Sequence, residues 1–458
     1  MEITLNGTKY EGLYSSDRYP YGAFGYWVFI PDGPLPDHKF GLLVTHDGLN
    51  EAEAYALQEL AKTGETPYCV CIGVNSGGVE PTVPGGDARY LRLMTYDRYG
   101  SEYADFLVEE LIPHLTEKFG LSIDPSADLH MVSGGSSGGL SAWQTAWYHP
   151  EFFHRVYMSS PSFLAMARGD EHLRLIRKQE PRPLRVWTEY SENEPNNFWG
   201  CSCCAGETAD RSLRYMNYAV ESRYYPGESH CSRSADPEAA LERMRYLWKN
   251  WQSEPIAVNG YSPQAAGILL PDHGWERTEP TAAPQESTAY VPAGSAVHFP
   301  DPTGSRTVAD GFDDVSAVAV SSDKWILYIG DRRRGCIYQA PILSDGTLAP
   351  VRIFGPLHTP MDFRLPGAFD LCVDQDDRLY AATELGIQIL RSGGFVDVIL
   401  DNPENTPADR IWLTEDSWLY ARCGEVTFRR KLRNKKPASS DQITPPQFLG
   451  YGDPQAPV

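Results

Sequence analysis

No stretch of this 458-residue sequence approaches the roughly 20 consecutive apolar residues of a membrane-spanning helix, which excludes a helical anchor within it. Positive charge is scarce. Lys and Arg number 40 against 61 Asp and Glu, a formal net charge of −21, which disfavours non-specific attraction to nucleic acid or an anionic membrane. The opening residues Met1-Glu-Ile-Thr-Leu-Asn-Gly-Thr-Lys9 hold no basic segment leading into an apolar core. The expectation is a chain without a secretory signal and with a cytoplasmic location. Cysteines are few and odd in number, nine in all, so a disulfide framework cannot account for every one. Cys201-Ser-Cys203-Cys204 lacks the two-to-four residue separation usual between zinc ligands, so no metal is expected. With Cys231 these residues are read as free thiols or as a disulfide at the rim of a site, and Cys69, Cys71 and Cys372 as small core residues.

What is present is a globular composition, 41% apolar and 12% aromatic, on a chain long enough for two domains. Residues 1–254 alternate strand and helix patterns. The strand candidates Gly25–Ile30, Phe40–Thr45, Tyr68–Val74, Leu129–Val132, Arg155–Met158, Leu184–Thr188 and Ser222–Tyr225 include near-continuous apolar runs. Such runs fit a mainly parallel sheet covered by helices on both faces. Helical spacing predicts helices near 50–62, 102–118, 139–148, 170–179, 205–219 and 237–251. Residues 255–308 read as a linker with first β segments. From 309 to 434 short strands alternate with Asp-rich turns, with similar units beginning at Ala317, Phe369 and Arg410. A period of about 40–50 residues predicts a partial or small β-propeller of about four blades. Residues 435–458 form a polar tail. The expected fold class is thus α/β, an α/β-hydrolase domain followed by an all-β domain.

The sequence Met131-Val-Ser-Gly-Gly-Ser136-Ser-Gly-Gly-Leu140 joins a strand candidate to a helix through a glycine-flanked serine. That is the setting of a nucleophile elbow, where the serine takes a strained backbone conformation and its neighbours must be small. Two registers fit, Gly134-Gly-Ser136-Ser-Gly138 and Gly135-Ser-Ser137-Gly-Gly139. Ser136 is preferred, because Ser137 then offers its N–H to an oxyanion. His230, in the polar loop Gly227-Glu-Ser-His-Cys-Ser232 between the last strand and last helix, stands where such a fold carries its base. The acid belongs after the strand Leu184–Thr188, where Glu189, Glu192 and Glu194 all lie. Glu194 is the choice and Glu189 the alternative.

The aperiodic segment Val79–Tyr99 follows a strand and fits a ligand-lining loop, which makes Arg89, Arg92, Tyr96 and Asp97 substrate-pocket candidates. In the earlier loop Thr45-His-Asp-Gly48-Leu49-Asn, the N–H of Gly48 or Leu49 is the expected second oxyanion donor.

Several of these motifs are shared with a known family. Residues 20–251 resemble the putative-esterase family that includes enterochelin, feruloyl and acetyl-xylan esterase-like α/β hydrolases. The resemblance lies in Leu42-Leu-Val-Thr-His-Asp-Gly48, Arg92 with Tyr96-Asp97, Leu121-Ser-Ile-Asp-Pro125, Gly134–Gly139 through Trp143, Pro150–Val156 and Gly227–His230. It implies Ser136 as nucleophile, His230 as base and Glu194-Pro195 at the acidic position. Glu189-Tyr190 departs from the Asp-Gly frequent in the family at that strand end. Residues 309–431 resemble the senescence-marker/gluconolactonase propellers through Ala319–Asp323, Leu327–Asp331, Leu371–Asp374 and Leu379–Ala382. The metal-ligand positions of that family fall on Ser316 and Phe369, beside Asp370, which implies a lost metal centre. Such a propeller would cover the cleft, bind glycan or mediate homo-oligomer formation.

The function expected is a serine esterase, without cofactor, acting on a small-molecule or glycan ester of sugar, hydroxycinnamoyl or siderophore type. Its rivals are a non-catalytic carbohydrate-binding scaffold and a metal lactonase centred on the propeller.

Overall fold

The computed structural model describes residues 3–33, 39–79, 83, 89–279, 288–302, 304–359 and 364–437. The chain divides into two compact units, with the boundary after Gly260 and with Lys178–Glu180 belonging to the second.

The first unit is built on the strands β1 (Gly7–Ser15), β2 (Ala23–Pro31), β3 (Gly41–His46), β4 (Cys69–Val74), β5 (Gly78–Val79), β6 (Arg89–Tyr90), β7 (His130–Gly135), β8 (Arg155–Ser159), β9 (Arg185–Asn193), β10 (Asn196–Asn197), β11 (Gly200–Cys201) and β12 (Ala219–Ser229). Ten of them form one sheet in the order β12-β9-β8-β7-β3-β4-β2-β5-β6, with β1 on β2. The ladder is parallel from β12 to β4. It turns antiparallel at β2 and stays so to that edge.

The apolar runs bury both faces. Leu42, Val44, Val132, Val156 and Val186 pack on one side with Trp143 and Trp147 of the helix Ser137–Tyr148 and with Phe106, Leu107 and Leu111. Their alternates Leu43, Met131, Tyr157 and Trp187 pack on the other with the helices Glu51–Ala61 and Pro237–Leu247. The period-two alternation of strand side chains produces this division. This is the mixed α/β-hydrolase-like topology.

Two helices differ from expectation. The stretch 102–119 is helical throughout, but Phe106–Leu111 widens into a π turn between Glu102–Asp105 and Ile112–Phe119. Pro113 sits just beyond and has no N–H for the regular ladder, which accounts for the local rearrangement. The helix expected over 170–179 is only Glu171–Leu175, since Lys178–Glu180 leave the first unit.

Among the described residues the second unit is mostly β, in four antiparallel sheets. One holds Val291–Ala293, Ala296–Asp301 and Gly304–Asp310. The next two hold four consecutive strands each, Val315 to Pro356 and Asp370 to Leu400. In the last, the early strand Glu276–Thr278 pairs with the late strand Val426–Lys431, beside Trp418–Cys423 and Arg410–Leu413. The Asp-rich turns are closed by their own carboxylates. Asp323 accepts from the Trp325 N–H at 3.0 Å, and Asp374 from the N–H groups of Asp376 and Arg378 at 2.9 Å. Ser316 Oγ donates to the Ala368 carbonyl at 2.5 Å. Phe369 lines a cavity of about 360 Å³ with Arg332, Leu365, Pro407, Ala408 and Asp409. Asp370 accepts from the Ile411 N–H at 2.7 Å. Among the described residues, no group of three or more His, Cys, Asp or Glu is arranged to hold a metal ion. No described helix is long and apolar enough to cross a membrane.

Candidate active site

Ser136 is the residue between β7 and the helix Ser137–Tyr148, with φ 57° and ψ −127°. A non-glycine residue at positive φ stores strain that its surroundings must hold. Here the Ser136 N–H donates to the Ser159 carbonyl at 2.8 Å, and its own carbonyl accepts from the N–H groups of Gly139, Leu140 and Ser162. The flanking glycines are required by space. A Cβ on Gly134 would stand 2.3 Å from the Gly138 carbonyl oxygen. One on Gly138 would stand 3.0 Å from His46 Cβ and 3.1 Å from the Asp47 carboxylate. Ser137 opens the helix instead, and its hydroxyl meets the buried Asp97 carboxylate. The strained position is therefore Ser136, whose Oγ lies 3.2 Å from Ser162 Oγ.

His230 lies just past β12, and its Nδ1 meets Glu194 Oε2 in a short contact. Glu194 lies just past β9 with its side chain wholly inaccessible, whereas the imidazole is 31% exposed. The other carboxylate oxygen accepts from Ser160 Oγ and from the Ser191 N–H, the latter at 3.1 Å. Burial alone pushes the Glu194 carboxyl up, but the bonds from His230, Ser160 and Ser191 hold it below the usual carboxylate range. On His230 the Cys231 sulfur and the Glu194 carboxylate favour the charged ring and raise it to about 10, against the opposing effect of burial. Ser160 Oγ also accepts the Cys231 N–H at 3.1 Å, and Cys231 Sγ lies 3.1 Å from where a Gly135 Cβ would be. The loop bearing His230 thus packs on the backbone just before Ser136.

The other two glutamates are committed elsewhere. Glu189 is buried and accepts from Tyr157 Oη at 2.6 Å, Ser159 Oγ at 3.0 Å and Trp187 Nε1 at 3.3 Å. Arg243 stands 3.7 Å from it. Glu192 accepts the Gly227 N–H at 2.7 Å.

The turn expected to supply the second oxyanion donor packs against β4. The Gly48 N–H donates to the Val74 carbonyl at 3.2 Å, which prolongs the β3–β4 pairing. The Leu49 nitrogen lies against β4, only 2.3 Å from where a Gly73 Cβ would be. Of this loop, Asp47, at φ 62°, donates its N–H to a side chain, Tyr96 Oη, at 3.1 Å. Ser137 is the first residue of its helix, so its N–H has no acceptor within that helix.

The pocket candidates separate. Tyr96 is fully buried and donates to the Val74 carbonyl at 3.0 Å. Asp97 is buried, and burial raises its carboxyl despite the Ser137 hydroxyl. Both pin the loop rather than line an opening. Arg92 keeps 34% of its side chain exposed, forks onto the Asp47 carboxylate, and lies 5.0 Å from the Tyr96 ring centroid. Arg89 forms β6 by its backbone, and its side chain lies outside the described atoms.

Several residues were not singled out from sequence. Asp47 holds Arg92. His46 is buried between Ser133 and Ser141, and burial pushes its ring down to about 4, so it is neutral at pH 7. Ser160 and Ser162, in Ser159-Ser-Pro-Ser162, bond to Glu194 and Ser136; their signal was a polar cluster directly after strand Arg155–Ser159. All nine cysteines are free thiols. Cys201 is the N-cap of the helix Ser202–Tyr215 and faces Cys204 across its first turn, while Cys231 packs on Gly135.

Against known proteins, the family model described as "Putative esterase" matches residues 25–230. Among solved structures, a ferulic acid esterase is similar at 16% identity and a TM-score of 0.41, covering 53% of this chain and 100% of that one. The enterochelin esterase from Shigella flexneri is similar at 20% identity and a TM-score of 0.41, over 53% of this chain and 58% of that one. The BES protein from Bacillus cereus is similar at 16% identity and a TM-score of 0.38, over 54% and 98%. The chain thus spans less than two thirds of the length of the Shigella esterase. No curated protein matches the sequence.

Proposed function

We propose that this serine carboxylic-ester hydrolase, whose esterase match spans residues 25–230, works through an acyl-enzyme on Ser136, with His230 as base and Glu194 as its orienting acid. The observation that carries the reading is the Glu194 carboxylate on Nδ1 of His230, beside the strained turn at Ser136. Ser136 exchanges its bond to Ser162 for Nε2 of His230, which takes the hydroxyl proton as Oγ attacks the ester carbonyl. Catalytic hydrogen bonds commonly tighten only when substrate is bound. The N–H of Ser137 and an N–H of the turn at Asp47–Leu49 stabilise the oxyanion. His230 returns its proton to the leaving alcohol, then activates the water that releases the acid. Glu194 stays ionised throughout and offsets the imidazolium charge.

The proposed substrates are sugar, hydroxycinnamoyl or siderophore-type esters. Support comes from the hairpin beyond Glu194, whose tip presents Phe198, 86% exposed, with Trp199 at a ring distance of 4.6 Å. The Trp199 carbonyl accepts the Ala165 N–H at 3.2 Å, which ties the tip to the segment carrying Ser162. Exposed aromatic faces suit stacking on a ring-shaped acyl or sugar group. In the second unit we read the four sheets as blades of a small propeller, with Glu276–Thr278 completing the last.

The test is an ester panel on the full chain: acetylated sugars, hydroxycinnamoyl sugars and catecholate-siderophore esters. Turnover that survives chelation and disappears in Ser136→Ala supports the reading. Turnover of none of them, or activity lost with metal, favours the scaffold or lactonase instead.

A further inference from the structure

Arg243 lies in the helix Pro237–Leu247 and is wholly buried. A buried guanidinium needs partners on every side to offset its lost hydration. Its partners are not those of its own helix. Nη1 donates to the Arg233 carbonyl at 3.0 Å and Nη2 to the Ser234 carbonyl at 3.1 Å. Both carbonyls belong to the turn that follows His230. The charge is balanced by Glu189 at 3.7 Å, and the guanidinium lies 4.3 Å from the Tyr157 ring centroid. Burial would favour losing the charge, but Tyr157, Glu189 and Glu53 keep the group firmly protonated.

The bonds continue from that turn to the imidazole. The N–H and hydroxyl of Ser234 donate to the Cys231 carbonyl at 3.1 and 2.9 Å. The Cys231 N–H donates to Ser160 Oγ, and Ser160 in turn donates to Glu194. The segment bearing His230 is therefore clamped at two ends, by Ser160 with Glu194 and by Arg243 with Glu189. Asn50 adds a second donor to the Ser234 carbonyl at 3.1 Å and passes another bond to buried Glu53, which accepts from Ser133 Oγ on β7.

We propose that Arg243, charge-balanced by Glu189, is a positioning residue that fixes His230 relative to Ser136 through the carbonyls of Arg233 and Ser234. This rests on the reading of His230 as the base. It also gives Glu189 a task, that of counter-ion to the clamp. Lysine retains the charge but cannot fork across two carbonyls, so Arg243→Lys removes the clamp while retaining most of the ion pair.

The experiment compares wild type with Arg243→Lys, Arg243→Gln and Arg245→Gln in the full chain. Arg245 is the control: it sits on the same helix, 55% exposed, with Glu65 at 3.0 Å. Rates are expressed per serine titrated by a fluorophosphonate, so unfolded protein does not enter. A catalytic group displaced by about 1 Å costs about 10²-fold. Arg243→Lys is expected to lower kcat about 10-fold and Arg243→Gln about 10²-fold, with KM within about twofold. The acidic limb of kcat/KM should move down in pH as the grip of Glu194 on His230 loosens. Arg245→Gln should match wild type. Arg243 variants with wild-type kcat per titrated site and an unmoved acidic limb would overturn the proposal, even if they melt earlier. If His230→Ala itself retains wild-type kcat, the underlying assignment of the base has failed instead, and the two failures are told apart.

Discussion

Replacing Glu194 by glutamine tests the site through a single atom. One carboxylate oxygen accepts from both Ser160 Oγ and the Ser191 N–H, and the other faces Nδ1 of His230. A glutamine must keep its oxygen toward Ser191, because its NH₂ there would confront an N–H donor. The amide NH₂ then faces Nδ1, which has to accept. That moves the ring proton to Nε2, the atom that must receive the serine proton. The substitution conserves volume and both local bonds, so the fold should survive while the tautomer is wrong. Such a tautomer error costs about 10⁴ in kcat, or about 5.4 kcal/mol of transition-state stabilisation. Glu189→Gln differs in kind. It leaves Arg243 without its counter-ion, a loss of about 3–5 kcal/mol in stability, and a smaller loss in rate per titrated site. The assay is kcat on a chromogenic aryl ester with active-site titration and a thermal melt of each variant. A Glu194→Gln enzyme within about tenfold of wild type would refute the reasoning.

Four further outcomes follow. The pull of Cys231 and Glu194 raises His230, so the acidic limb of kcat/KM should lie above the ordinary histidine value of 6.5, and in Glu194→Gln it should fall toward that value; a limb at or below 6.5 in wild type contradicts this. The same shift has a stability sign: the pairing contributes fully below the unfolded histidine pKa and is lost as pH rises through the raised one, so denaturant melts of wild type and His230→Ala should converge toward alkaline pH. Among the cysteines of the Cys-x-Cys-Cys run, N–H groups and the Cys204 thiol lower Cys201 while burial raises Cys203, so iodoacetamide at neutral pH should label Cys201 several-fold faster than Cys203; equal rates would contradict it. Gly134→Ala places a Cβ 2.3 Å from the Gly138 carbonyl and should destabilise by about 1–3 kcal/mol or more, seen as an earlier melt with loss of fluorophosphonate labelling.

What could be read from sequence follows how strongly each feature constrains burial. The apolar runs of β3, β4 and β7 have no alternative to a sheet covered on both faces, and they declare themselves. Strand β1 is exposed along nearly its whole length, so it lacks the alternation that would reveal it. The strained turn was legible because glycines stand two residues either side of Ser136, at Gly134 and Gly138, where a Cβ would clash. The setting of Glu194 was less so. The apolar signal of β9 stops near Thr188, but the strand runs on to Asn193. Its alternation carries Glu189 to the face of Trp187 and Tyr157, away from His230, and leaves Glu194 just past the strand end. The partner of the Gly48 N–H, the Val74 carbonyl of β4, was not legible because it lies far off in the chain. Tyr96 and Asp97 read as pocket candidates because their segment is aperiodic and follows a strand; in the fold both are buried, Tyr96 against His46.

The central claim is that Ser136, driven by His230 and Glu194, is the nucleophile. Intact-mass and peptide mapping of the folded full chain after fluorophosphonate treatment tests it most directly. One adduct per chain is expected, on Ser136, absent in Ser136→Ala and formed far more slowly in His230→Ala. An adduct on Ser137, or no adduct on folded protein, would contradict it.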